Sequence, residues 1–222
     1  MPEFVVNYGN VSKPAADGRL EGPAFRRNHA AIWSAMENVL REQTGDVLEL
    51  GSGTGQHVTE FARRAPALTW WPSDIIPAHL ASIDAWRRDA RLQNLRAPQR
   101  IDLTDPAWNW TGGSALTAML CINVLHISPW RVSQNLLAGA GRLLRGGGTL
   151  FVYGPFMRDG AHTAPSNAAF DASLRAENPE WGVRDVADLG AVAGQAGLAP
   201  ARVVEMPANN LVLVFERTLR HN

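Results

Sequence analysis

From Val47 to His57 the chain reads VLELGSGTGQH, in which a carboxylate, Glu49, precedes three glycines at alternate positions, Gly51, Gly53 and Gly55. Val47, Leu48 and Leu50 have the apolar density of a short buried strand, while Val58, Phe61 and Ala62 begin a helical spacing. A strand, a tight turn and a helix are therefore expected. Glycine suits such a turn because the backbone must adopt unusual dihedrals and approach a ligand closely, leaving the first N–H groups of the helix free for an anionic group. A dinucleotide fingerprint needs its third glycine three residues after the second, where Gln56 stands, and a phosphate-binding P-loop needs a Gly-Lys-Ser/Thr run that is absent. Both phosphate assignments weaken.

The pattern acidic-x-Gly-x-Gly-x-Gly resembles motif I of the class I S-adenosylmethionine-dependent methyltransferases. The ligand this implies carries an ammonium, a carboxylate and a sulfonium but no phosphate, so a strand-end carboxylate and free helix N–H groups complement it. Asp74 ends the next expected strand, which begins at Leu68, and lies 19 residues beyond Gly55. An acidic residue about that far past the turn accepts both ribose hydroxyls in doubly wound nucleotide-binding folds. It can also cap a helix beginning near Pro77.

Composition bounds the possibilities. A chain of 222 residues, 45% hydrophobic, is long enough for one α/β domain with a full core and short for two. Twenty-one basic residues balance 21 acidic ones, so there is no broad positive field of the kind used to grip nucleic acid, and no nucleic-acid partner is expected. Lys13 is the only lysine; arginines placed in a cleft would suit a carboxylate or phosphate. Cys121, the sole cysteine, precludes an internal disulfide and points to a reducing compartment, where its apolar neighbours make it an inert core thiol. The first 25 residues lack a signal-peptide pattern, and the longest apolar run, Ala115–Ile127, is too short to span a bilayer. A soluble cytoplasmic protein with no membrane partner is expected. His57, His126 and His162 lack paired ligand spacing, so no metal site is expected.

The elements that must position these groups follow in order. Residues 1–24 read as an irregular arm and a candidate lid, and residues 25–222 as a single domain. A helix is expected to follow Asn28, with Ile32, Trp33, Met36, Val39 and Leu40 on its apolar face. Leu80, Ile83, Trp86 and Ala90 mark another. Strands are expected at Ala97–Leu103, Leu116–Asn123 and Thr149–Tyr153, with a helix between the last two that Ser128 caps, Pro129 starts and Gly146–Gly148 stop. Pro155 to Asp185 reads as a long functional loop. A helix over Val186–Ala196 and strands at Arg202–Met206 and Leu211–Glu216 complete the chain. Pro207 to Asn210 is too short a connection for a parallel crossover, so the last strand must run antiparallel. The fold class is α/β: a Rossmann-like, doubly wound, seven-stranded, mostly parallel sheet with an antiparallel last strand.

Ligands of open parallel sheets bind beyond the carboxyl ends of the strands, which gathers Glu49, Asp74, Asp102, Asn123 with His126, Tyr153 and the Asn209-Asn210 turn on one rim. Singly, Asp102 can cap a turn, His126 can be a satisfied core histidine and Tyr153 can be packing. Arg27-Asn28, GSGTGQH, WPSD at Trp71–Asp74, CIN at Cys121–Asn123, YGP at Tyr153–Pro155, SN-x-x-FD at Ser166–Asp171, NPEWG-x-RD at Asn178–Asp185 and MPANN at Met206–Asn210 together resemble the methyltransferase-like protein 26 family, of unknown substrate. One departure is Phe25, where a glutamate is expected. The resemblance implies a cofactor, S-adenosylmethionine, held by Glu49, Gly51, Ser52, Gly53, Gly55, Gln56, His57, Asp74, Ile75, Asp102, Leu103 and Asn123. Facing it, Arg27, Asn28, Asn167, Arg184 and Asn210 are substrate-side candidates, and His126, Tyr153 and Asp171 are catalytic candidates. His126 leads as general base because its ordinary pKa lies nearest 7. The expected function is methyl transfer to an unidentified small molecule. A module that binds the cofactor or its spent form without turnover is the alternative, and an oxidoreductase is disfavoured by Gln56.

Overall fold

A computed structural model describes residues 15–219. Lys13 and residues 1–14 of the expected arm lie outside that range. In chain order the elements are α1 (Pro23–Leu40), β1 (Gly45–Leu50), α2 (Gln56–Arg64), β2 (Leu68–Asp74), α3 (Pro77–Ala90), β3 (Gln99–Arg100), β4 (Leu116–Ile122), α4 (Trp130–Leu143) and β5 (Leu144–Gly154). There follow β6 (Phe156–Arg158), β7 (Ala161–His162), α5 (Pro165–Glu177), β8 (Arg184–Asp185), α6 (Val186–Gln195), β9 (Arg202–Met206) and β10 (Asn210–Glu216).

Seven strands form one sheet in the order β3-β2-β1-β4-β5-β10-β9. β1 to β5 run parallel, and β10 is antiparallel to both β5 and β9. β9 consequently runs with the parallel set, and its Met206 end joins the rim formed by Leu50, Asp74 and Ile122. All seven residues of β4 are buried, as a central strand covered on both faces requires. Leu48, Met119, Val152 and Leu213 face one core with α4 and α6; Val47, Leu120, Phe151 and Val212 face another with α1 and α2.

Several expected boundaries differ. Helix α1 starts at Pro23, so Asn28 lies inside it; the Gly22 N–H is tied to Gln56 Oε1 at 2.7 Å, a contact remote in sequence. The third strand shrinks to Gln99–Arg100, because Pro98 supplies no donor and the strand sits at the sheet edge. Leu144 and Gly146–Gly148 belong to β5 rather than to the end of α4, and the pairing slips from Leu116↔Leu144 to Ala118↔Thr149. A Cβ on Gly148 would meet Leu116 O at 3.0 Å, so glycine lets this bulge pack. Pro129, not Ser128, is the N-cap of α4; the Ser128 hydroxyl donates to Val124 O at 2.7 Å instead. The expected loop from Pro155 to Asp185 contains a three-stranded sheet, β7-β6-β8, and α5. The residues α5 buries, Asn167, Asp171 and Leu174, have helical spacing, but two of them are polar and carry no hydrophobic signal.

Candidate functional site

The turn between β1 and α2 uses its three glycines differently. All have positive φ, +70° at Gly51, +56° at Gly53 and +90° at Gly55, the region where a side chain is strained. A Cβ on Gly55 would stand 2.8 Å from Ile83 Cα, so that position lets α2 and α3 approach. One on Gly51 would meet Val124 Cγ2 at 2.5 Å, whereas one on Gly53 would meet nothing within 4 Å. Gly53 faces open space, and its N–H donates to Asp74 Oδ2 at 2.9 Å. The other Asp74 oxygen, Oδ1, accepts from Ile76 N at 2.9 Å and lies 3.2 Å from His79 Nδ1. Asp74 is thus locked between the glycine turn and the start of α3.

These groups border a cavity of about 540 Å³, within the range of small-molecule sites. Glu49, Gly51, Ser52, Gly53 and His57 line it from β1, the turn after it and α2; Asp74 ends β2 and Ile75 follows it; Asp102, Leu103 and Asn123 come from beyond β3 and β4. Gly55 and Gln56 do not line it. Gln56 is a brace, since its Oε1 accepts from Gly22 N and, at 3.2 Å, from Thr54 Oγ1. Asp102 Oδ1 accepts from Thr104 N and Thr104 Oγ1 at 2.9 and 2.7 Å, so it closes a local turn while bordering the cavity. Asn123 has φ +57° and donates its N–H to Tyr153 O at 2.9 Å.

Electrostatics single out Glu49. It is 1% exposed, its Oε2 has no hydrogen-bond partner, and burial pushes its pKa up to about 7, with the nearby Asp74 charge adding to the rise. A buried carboxylate left this way is costly unless a cation meets it. Burial also holds His57 down to about 3 and His126 to about 4, leaving both neutral at pH 7. His57 Nε2 lies 2.8 Å from Asn28 Oδ1; an amide oxygen only accepts, so Nε2 carries the ring proton. Burial raises the pKa of the Tyr153 hydroxyl, an effect that the nearby Asn28 side chain and Arg27 charge oppose. Burial raises the Cys121 thiol too, keeping it unreactive.

The substrate-side and catalytic candidates divide. Arg27 lines the cavity, and Asn28 stands behind His57. His126 and Tyr153 are buried near the rim without lining the wall; the His126 ring meets Phe170 edge-on at 5.4 Å. Asp171, Asn167, Arg184 and Asn210 are not brought to the cavity, and each has structural partners. Asp171 accepts from Val183 N at 2.7 Å and Arg175 Nε at 3.0 Å, holding α5 against the following loop. Asn167 donates to Asn209 O at 2.9 Å and Thr163 Oγ1 at 3.0 Å. Arg184 donates to the carbonyls of Leu125, Ser128 and Glu180, and Asn210 to those of Pro207 and Ala208. Sequence reasoning missed Gly22 to Phe25, Thr54, Ser128 and Phe170 as wall residues. Proline at the first helical position marked where α1 begins; Phe170 stood within the SN-x-x-FD motif, but nothing in the sequence placed it on the cavity. Among the described residues no group of three or more His, Cys, Asp or Glu can hold a metal ion. Nor is any helix there long and apolar enough to cross a membrane.

Solved structures share this architecture. An O-methyltransferase family protein from Burkholderia thailandensis superposes with a TM-score of 0.70 at 20% identity, over 89% of this chain and 60% of that one. Human N-acetylserotonin methyltransferase, solved in complex with SAM, gives a TM-score of 0.71 at 15% identity, over 88% of this chain and 53% of that one. An O-methyltransferase family 2 protein from Planctomyces limnophilus, in complex with apigenin, gives 0.64 at 18%, over 78% and 50%. The fold is that of the class I methyltransferases, and the chain spans 60% or less of the length of these three structures. It belongs to the family described as protein of unknown function (DUF938), which matches residues 19–217.

Proposed function

We propose that the protein binds S-adenosylmethionine in this cavity and transfers its methyl group to a small molecule. One observation carries the proposal: a buried carboxylate, Glu49, with an unpartnered oxygen beside a glycine turn whose middle residue is open to the cavity. Those features fit an adenosyl amino acid. Glu49 would meet the ammonium, Asp74 the ribose hydroxyls, and Asp102 with Leu103 the adenine; Asn123 would border the methionine end. The resemblance to the methyltransferase-like protein 26 family, a single domain over 25–222 and a reducing, cytoplasmic setting belong to the same proposal.

When bound, the cofactor supplies an electrophilic methyl group for in-line displacement. The chain's own residues orient the acceptor and exclude water, and positioning supplies much of the acceleration in such a step. Proton removal has weak support, because Asp171 is away from the cavity wall and His126 and His57 are feeble bases at about 4 and 3. An acceptor that arrives deprotonated, or that needs no deprotonation, suits this site.

Glu49, the wall group whose pKa lies near 7, is taken by the ammonium in this arrangement, which favours a second reading, a module that holds the cofactor or its spent form without turnover. Calorimetry with S-adenosylhomocysteine tests both together, since saturable binding that Glu49→Gln weakens supports the cavity assignment. Labelled methyl appearing in a small molecule from a metabolite extract separates enzyme from module. Binding of a nicotinamide dinucleotide in place of the homocysteine compound would overturn both.

A further inference from the structure

The cavity is chemically lopsided. Its three carboxylates, Glu49, Asp74 and Asp102, lie along β1, β2 and the turn after β3, whereas the lining residues contributed by α1 and α5 carry no carboxylate. α1 supplies Arg27, the only guanidinium bordering the cavity among the described residues. Arg27 is exposed, and among the described residues it has no ion pair or side-chain hydrogen bond, although its neighbour in sequence, Arg26, pairs with Glu21.

Two phenyl rings, Phe25 of α1 and Phe170 of α5, border the cavity as well. Phe25 stacks on His29 at 4.4 Å and meets His57 edge-on at 5.2 Å, so its ring plane is set by neighbours. Phe170 is 39% exposed; Leu219 is the only other large hydrophobic exposed among the described residues. His126 meets the Phe170 ring edge-on at 5.4 Å, and Asp171 anchors the same helix through Val183 N. An apolar ring braced on one edge and left uncovered in a cavity is a recognition surface.

On the reading of the preceding subsection, we propose that the acceptor is a planar aromatic carboxylate, its ring against Phe170 and Phe25 and its carboxylate paired with Arg27. A guanidinium matches a carboxylate in a two-point, charge-assisted pair. The methionine end of the cofactor also carries a carboxylate, so the test must distinguish the two sources.

Calorimetry on the full chain first measures S-adenosylhomocysteine, and then benzoate, 4-hydroxybenzoate, benzamide and cyclohexanecarboxylate on the saturated protein. Benzoate and 4-hydroxybenzoate are expected to bind more tightly than benzamide or cyclohexanecarboxylate. Arg27→Gln should weaken both aromatic carboxylates about tenfold or more, leaving benzamide and S-adenosylhomocysteine unchanged. Phe170→Ala should remove the preference for benzoate over cyclohexanecarboxylate; Phe170→Leu, which preserves bulk, serves the same purpose if the alanine variant does not fold. The proposal is overturned if the saturated protein binds neither aromatic acid, or if Arg27→Gln weakens S-adenosylhomocysteine and spares the acids, which assigns the guanidinium to the cofactor. Absence of S-adenosylhomocysteine binding in the wild type overturns the cavity assignment itself, and the inference with it.

Discussion

Glu49 Oε2 touches no donor, and the whole site turns on what meets it. With its pKa raised from 4.5 to about 7, the folded chain holds a proton that the unfolded chain has already released. Stability from this group is therefore complete below about 4.5 and lost as pH rises to about 7, a decline of about 3 kcal/mol if no other group intervenes. Glu49→Gln should flatten that slope and be the more stable protein at pH 8, as denaturant melts from pH 4.5 to 8 will show. An ammonium favours the ionised carboxylate, so S-adenosylhomocysteine affinity should climb as pH rises toward 7, and the variant should lose the climb. Identical pH profiles for the two proteins would remove Glu49 from this role.

Helices and turns carry a different test, because the glycines of one loop have separate neighbours. Gly55→Ala drives a methyl into the Ile83 backbone at a φ of +90° and should cost at least 2 to 3 kcal/mol, read from the denaturation midpoint. Gly53→Ala meets no atom within 4 Å and should cost only about 1 to 2 kcal/mol of backbone strain, while narrowing the space for a ligand. Its ligand affinity should fall more than its stability does, and a stability order opposite to this would refute the division. At the β9–β10 turn, Ala208 has φ +58° and ψ +38°, a left-handed conformation costly to alanine. Ala208→Gly is expected to raise stability by up to about 1 kcal/mol, measured the same way.

Across the whole molecule, four strand ends and the first turn of α1 meet at one cavity, joined by contacts such as Gln56 to Gly22 and His57 to Asn28. A ligand bound there at 100 times its dissociation constant adds about 2.7 kcal/mol, which for a chain of this size raises the melting temperature by roughly 5–11 °C. S-adenosylhomocysteine should produce a shift of that order and a nicotinamide dinucleotide none; the reverse pattern would discard the assignment.

The parallel strands were legible because β1, β2 and β4 are dense apolar runs ended by Gly51, Asp74 and Asn123, and because the short Pro207–Asn210 link forces a hairpin. Helix α5 was hidden because Asn167 and Asp171 are buried through hydrogen bonds to Asn209 O and Val183 N, partners that hydrophobic periodicity cannot register. The linear order of residues determined the sheet, the glycine turn and its two carboxylates, since these depend on local backbone chemistry and on apolar runs. Only tertiary structure decided that Glu49 Oε2 lacks a partner, that Gln56 is a brace and that Phe170 and Arg27 border one cavity. Those properties arise from atoms tens of residues apart, and no spacing along the chain encodes their distances.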